Sequence, residues 1–264
     1  MKILRSSLLL LVWFQYLRTI VLPVLASHVH GLPKFAYNEA TGKGPSKWGE
    51  LRHHWTACEL GHEQSPIAIN YDILKNNPTL GPLQTFYKPA TAGSKEADHG
   101  VKVAWHGDAG YLFLNGTQYN LVQMHWHWGS EHTYNGSRYA MELHLVHESP
   151  KGLAAIGIMY KIGPPDPLLA MLLPKLHGFG KAEREIGVID PRSILFDKSG
   201  YYRYVGSLTT PPCHEGVVWT MIKKIRYVSA NQVAFMKHMA NDTYGSIARP
   251  LQRLYGRKID MYVS

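Results

Sequence analysis

The chain lacks any uninterrupted apolar run of the roughly 20 residues that a membrane-spanning helix needs. The nearest approach is N-terminal, "MKILRSSLLLLVWFQYLRTIVLPVLAS", and Arg18 and Pro23 break it. Lys2 and Arg5 precede the apolar residues 8–14, and the small residues Ala26 and Ser27 close the segment. That layout predicts a secretory signal peptide over residues 1–26 and leaves a domain over 27–264 with no stable membrane span once the leader is removed. An uncleaved anchor is the next reading, weakened by the interruptions at Arg18 and Pro23, and an organelle transit peptide is weaker still, because the segment is Leu-rich rather than Ser- and Arg-rich.

Runs of basic residues are also missing. The formal charge is +9, and losing Lys2, Arg5 and Arg18 with the leader lowers it to about +6. The other lysines and arginines are scattered, with no aromatic-interleaved patch, which argues against a nucleic-acid partner. No His-Glu-x-x-His occurs, which argues against a zinc protease. Repeats and low-complexity tracts are absent as well, so one domain is the economical reading.

Cysteine is nearly absent, with only Cys58 and Cys213. In an oxidising compartment these would close a very long loop, and a disulfide is favoured over two buried free thiols. A mutual bond would exclude thiolate ligation of a metal. What remains is ordinary globular composition, 45% hydrophobic and 18% charged. Three sequons, Asn115-Gly-Thr, Asn135-Gly-Ser and Asn241-Asp-Thr, are candidate glycosylation sites and fit a secreted chain.

Residues 33–66 are rich in Gly, Pro, Trp and His without helical periodicity, which predicts an extended segment packed over the body. From about residue 99 to 160 come "VKVAW", "YLFLNGTQYNLVQMHWHW", "MELHLVH" and "AAIGIMYKI", separated by Gly, Asn and Asp turns, the pattern of a β-meander. Asn115-Gly116 between two runs predicts a hairpin. "DPLLAMLLPKLHGF" reads as a surface helix ending near Gly178, and "SANQVAFMKHMAN" as a second helix with Ser229 as N-cap. One sheet-dominated domain is expected.

The stretch "QMHWHWGSEHTYNGSRYAMELHLVH", residues 123–147, holds five histidines. Alternation along a strand puts Gln123, His125 and His127 on one face and Met124, Trp126 and Trp128 on the other. Glu142 and His144 share a face of the next run, and an antiparallel neighbour can bring His144 beside the first two. Three imidazoles with no fourth protein ligand describe a catalytic zinc site, whose open position holds water. Gln123 and Glu142 could each orient a ligand. Spacing alone leaves a metal site and a hydrogen-bonded histidine group both open.

"QMHWHWGSEHT" followed by "ELHLVH" resembles the zinc-binding core of the alpha-class carbonic anhydrases. "QSPIAI" at 64–69, "GSLTTPPC" at 206–213, "VVW" at 217–219 and "ARPLQRLYGR" at 248–257 resemble that family's motifs in the same order, and the short 129–132 connection resembles its plant and bacterial members. The resemblance implies a mainly β (α+β) fold: a large, twisted, mostly antiparallel sheet with short peripheral helices and a conical zinc cavity. It implies zinc on His125, His127 and His144, with Gln123 and Glu142 as acceptors for His125 and His144. Zinc brings the pKa of bound water near 7, and the resulting hydroxide would convert carbon dioxide to bicarbonate.

By the same resemblance, Thr209 accepts from that hydroxide and donates to Glu131. Thr210 lies beside the substrate, and Val146, Leu208, Val217 and Trp219 form the apolar wall. His99 matches the proton shuttle, its pKa range being suited to transfer to buffer, and Tyr37 matches a relay tyrosine. Cys58 and Cys213 match a disulfide frequent in secreted members, which would brace the loop carrying Thr209. His106, His132, His147 and His214 are expected to be structural or rim residues. Several positions depart from the family pattern. Ala97, Asp98 and Lys102 replace usual residues around the shuttle, Ala155 stands where a valine is common, and an expected asparagine is missing two residues before Arg249. The first three put the water relay in doubt. Ala155 would widen the pocket for bulkier esters. The leader, the cysteine pair and the sequons together predict a chain of the secretory pathway, extracellular or in another oxidising compartment, a plastid included. The rival is a catalytically silent relative, a binding or storage protein; such relatives typically lose zinc histidines, and this chain keeps all three.

Overall fold

A computed structural model describes residues 35–97, 100–176, 180–240 and 245–264. The expected leader, His99 and Asn241 lie outside the described residues. The architecture is a 13-stranded mixed sheet with a separate two-stranded pair and a few short helices. Most pairings are antiparallel. Gly152–Ile162 lies parallel to both Glu215–Ile222 and Arg226–Val228, and Ile259–Val263 parallel to Leu74–Asn76.

The centre of the sheet runs Gly100–His106, Thr117–Trp128, Met141–Ser149, Gly152–Ile162, Glu215–Ile222. Gly110–Leu114 and Thr117–Trp128 form the expected hairpin. Its two turn residues, Asn115 and Gly116, have φ of 47° and 74°, the left-handed conformation that a mirror-image hairpin turn requires and that Asn and Gly tolerate best. One face of the central strands packs Met124, Trp126, Trp128, Leu143, Leu145 and Ile156 into the main core. The opposite face carries a second apolar layer that includes Ala155, Val217, Trp219 and Met221, and the histidines share that side.

A β-bulge decides this division. Leu121 pairs with His147 and Gln123 with Val146, so Val122 is an extra residue in its strand. Before it, Tyr119 and Leu121 face the main core; after it, Met124, Trp126 and Trp128 do. An extra residue reverses which parity faces inward, because side chains alternate with a period of two. The bulge therefore turns Gln123, His125 and His127 away from the main core.

Residues 33–66 are not extended over their described part. From Glu39 to Leu60 the chain forms single turns of 3-10 or α-helix: Glu39–Thr41, Pro45–Lys47, Trp48–Leu51, His53–Trp55 and Ala57–Leu60. Turns of three or four residues are too short to show helical periodicity. They are fixed by burial instead: Phe35, Trp48 and Trp55 cluster around Cys58 and Cys213, which are joined by a disulfide with Cα atoms 5.0 Å apart. The "DPLLAMLLPKLHGF" helix is α only over Pro167–Leu172, capped by Asp166 Oδ1 accepting from Leu169 N–H at 3.0 Å. It tightens to 3-10 over Leu173–Leu176, where Pro174 has no N–H to offer. Ala230–Met239 forms as expected, with a capping box between Ser229 and Gln232.

Candidate metal centre and its cavity

His125 and His144 stand directly opposite one another across antiparallel strands, and His127 follows two residues on along the same face. One nitrogen from each ring lies within 4.8 Å of the other two. His127 and His144 are buried, with 3% and 1% of their surface exposed. Each ring is oriented through its other nitrogen. His125 Nδ1 donates to Gln123 Oε1 at 2.8 Å, His127 Nδ1 to the Ile247 carbonyl at 2.7 Å, and His144 Nε2 to Glu142 Oε1 at 2.6 Å.

With those three protons placed, the nitrogens that remain are lone-pair acceptors aimed at one another. His125 Nε2 and His144 Nδ1 are 3.3 Å apart, and His127 Nε2 is buried with no hydrogen-bond partner. Burial pushes His125 well below the ordinary histidine range, helped by the neighbouring His144 and His127. Burial also lowers His144, against the opposing pull of Glu142. Neutral imidazoles with convergent lone pairs are the state a soft-to-borderline cation requires, and three of them with no thiolate fit zinc.

Glu142 has a wider role than orienting His144. Its Oε1 also accepts from His132 Nδ1 at 2.7 Å, and its Oε2 from the His132 backbone N–H at 2.9 Å. His132 Nε2 meets the Tyr204 hydroxyl at 2.6 Å, and that hydroxyl meets Ser65 Oγ at 2.7 Å. Burial pushes the Glu142 carboxyl up, but His132 and His144 together outweigh it and hold it well below the usual carboxylate range. His132 is thus a structural residue as expected, yet fully buried and one step from a ligand rather than on a rim. His147 is also buried, its Nε2 2.7 Å from the Tyr87 hydroxyl.

The histidines open onto a cavity of about 100 Å³. Val146, Leu208, Val217 and Trp219 line it, as do Thr209, Thr210 and Ala155. Lys102 lines the same cavity. Glu131 is fully buried. Its Oε1 accepts from the Arg249 backbone N–H at 2.9 Å, while Oε2, 3.4 Å from His127 Nε2, has no hydrogen-bond partner. No hydrogen bond from Thr209 to Glu131 is therefore closed in this geometry. Tyr37 packs edge-on against Phe35 and Trp48. Asn115 and Asn135 occupy exposed turns with φ of 47°.

Three supporting groups were not legible as such in the sequence. The Ile247 carbonyl that holds His127 is backbone, so it has no residue signature, and the missing asparagine near Arg249 is of no consequence to that bond. Tyr204 had no distinguishing neighbour in its strand. Arg249 is fully buried and clamps the region behind Glu131: its guanidinium donates to Gln64 Oε1, the Ser65 carbonyl and the Cys58 carbonyl at 2.7–2.8 Å and lies over the Trp48 ring. Gln64 Nε2 in turn donates to the Cys213 carbonyl at 3.1 Å, and Cys213 N–H to the Thr210 carbonyl at 2.9 Å. The disulfide is in this way wired to the loop of Thr209 and Thr210.

Residues 43–263 match the model of the eukaryotic-type carbonic anhydrase family. The chain is 42% identical to alpha carbonic anhydrase 4 of Arabidopsis thaliana over 89% of this chain and 88% of that one. It is 41% identical to dioscorin DB3L of Dioscorea polystachya over 86% of each. A crystal structure of dioscorin complexed with ascorbate superposes with a TM-score of 0.83 at 38% identity, covering 87% of this chain and 98% of that one. The alpha-carbonic anhydrase of Thermovibrio ammonificans in complex with sulfanilamide superposes at 0.79 and 33% identity, covering 86% and 98%. With fold, motif order and histidine geometry in agreement, the chain belongs to the alpha carbonic anhydrase family.

Proposed function

We propose that this chain is a zinc-dependent carbonic anhydrase that catalyses the reversible hydration of carbon dioxide to bicarbonate and a proton. The observation that carries the reading is the convergence of three imidazoles, two buried and one half-buried, whose outward nitrogens are all engaged by acceptors. Zinc held by His125, His127 and His144 would supply a Lewis acid that brings water's pKa down to about 7. Gln123, Glu142 and the Ile247 carbonyl fix the ligand tautomers. Glu131 Oε2, open as an acceptor, is the group to accept a hydrogen bond from the Thr209 hydroxyl, leaving the Thr209 oxygen to accept from the reacting water. Val146, Leu208, Val217 and Trp219, with Thr210 beside them, give carbon dioxide an apolar seat that strips ordered water from the approach. His99 carries the departing proton to buffer.

The chain's expected setting is the secretory pathway or another oxidising compartment, after loss of residues 1–26, with Asn115, Asn135 and Asn241 as glycan acceptors; the disulfide supports that setting. A catalytically silent binding or storage protein is the second reading. The dioscorin structure with ascorbate gives it a specific form, a small-molecule binder on the same fold. Stopped-flow carbon dioxide hydration together with zinc analysis separates the two. Stoichiometric zinc and hydration that both vanish in His144→Ala are expected; a metal-free, inactive wild type overturns the enzyme reading.

A further inference from the structure

Lys102 lies on Gly100–His106 with its Cα directly across from that of His125, so the two side chains leave the sheet on the same face. It is half-buried and lines the cavity of the histidines. On its other side Lys102 faces Lys95 across the sheet. The Lys95 charge is met by Glu183 at 3.1 Å, and that carboxylate also holds His106 at 2.8 Å. Lys102 has no ion pair among the described residues. A cation in a partly apolar wall, next to a like charge and with no counter-charge among the described residues, is a place where a visiting anion is favoured.

We propose that Lys102 is a specificity-determining residue that docks the small anion of the cavity, bicarbonate or a monovalent competitor, beside the histidines. This rests on the metal-dependent reading of the site given above. Carbon dioxide is neutral and gains nothing from the ammonium, so the effect falls on one side of the reaction. Bicarbonate is held longer, so its KM falls and its release in the hydration direction slows, while the ratio of the two kcat/KM values stays fixed by the equilibrium; inhibition by simple anions is strengthened. The attraction is partly screened by salt because the cavity is open to solvent.

The test uses cobalt-substituted protein, full chain, wild type against Lys102→Met and Lys102→Arg. Bicarbonate and thiocyanate are titrated through the visible cobalt spectrum, and KM is measured separately for carbon dioxide and bicarbonate. Lys102→Met is expected to weaken both anions by about threefold to fivefold, the scale of one partly solvated ion pair. Cobalt content and the KM for carbon dioxide stay unchanged, and Lys102→Arg restores most of the anion affinity. Full cobalt uptake with equal anion affinities in wild type and Lys102→Met overturns the role of Lys102 alone. Failure of the wild type to take up cobalt overturns the metal reading, and this proposal with it.

Discussion

Replacing Glu142 by Gln tests the core of the site with almost no change of shape. In the native arrangement Glu142 is an acceptor three times over: Oε1 takes protons from His144 Nε2 and His132 Nδ1, and Oε2 takes the His132 backbone N–H. An amide has one acceptor oxygen and an NH2 that can only donate. If its oxygen stays on the two imidazoles, the NH2 faces the backbone N–H of His132. If it flips, the NH2 faces two imidazole N–H groups, and His144 can escape only by moving its proton to Nδ1, the nitrogen pointed at the metal position. One buried donor is left unsatisfied in the first case, which costs about 1–3 kcal/mol. In the second, the His144 lone pair is withdrawn from the cation. A lost outer partner of this kind lowers metal affinity by about 10- to 100-fold. The assay is zinc affinity by chelator competition, paired with thermal melts of metal-free protein, where each kcal/mol is worth about 2–4 °C in a domain of this size. Zinc affinity within about twofold of wild type and an unchanged metal-free melt would refute the assignment of Glu142 as the group that fixes His144.

Reduction of the Cys58–Cys213 bond, or Cys58→Ser, is expected to cost about 2–5 kcal/mol of stability and to lower hydration activity in parallel, because Cys213 is bonded to Thr210; an unchanged melting curve sinks this. Ala155→Val adds two methyl groups to the cavity wall beside Trp219 and is expected to slow hydrolysis of bulky aryl esters by about tenfold while sparing carbon dioxide, read as kcat/KM for each. Equal ester rates count against a widened pocket. His99→Ala should keep zinc bound and slow hydration only in weakly buffered solution; the same loss in concentrated imidazole buffer argues against a shuttle. Burial pushes His147 down to about 3, so its contribution to stability is fully present above pH 6.5 and is lost as pH falls toward 3, where the unfolded chain takes the proton first. The slope assigned to it is at most about 1.4 kcal/mol per pH unit, and urea melts of His147→Gln should lose that slope between pH 6.5 and 3. Parallel curves for the two proteins would show that the proton binds elsewhere.

What could be read from residues alone follows from what side-chain alternation records. Gln123, His125 and His127 share parity, as do Glu142 and His144, and the structure keeps both groups on one face with His125 opposite His144. Apart from Val146, which shares a strand with His144, the apolar wall and the two threonines come from two other segments, and only motif resemblance could assemble them. Backbone acceptors carry no residue signature, which hid the Ile247 carbonyl. The turns between Glu39 and Leu60 were hidden because each is shorter than one helical period.

The bulge at Val122 shows how a local reading can be right while the strand around it is not regular. Extended backwards without interruption, the alternation that sets Met124, Trp126 and Trp128 in the core would expose Tyr119 and Leu121; extended forwards from those two, it would turn His125 and His127 into the core and Trp126 and Trp128 out of it. Both apolar sets in fact face the main core, and only an extra residue between them permits that. Deleting Val122 should therefore do more than shorten a strand. It forces a choice between keeping Tyr119 and Leu121 in the core and keeping the imidazoles in the cavity. Three buried tryptophan and methionine side chains on one side and a hairpin on the other make neither choice cheap. The placement of the three histidines on the open side of the sheet is in this sense a consequence of one unpaired residue, and the apolar pattern on either side of it holds them there.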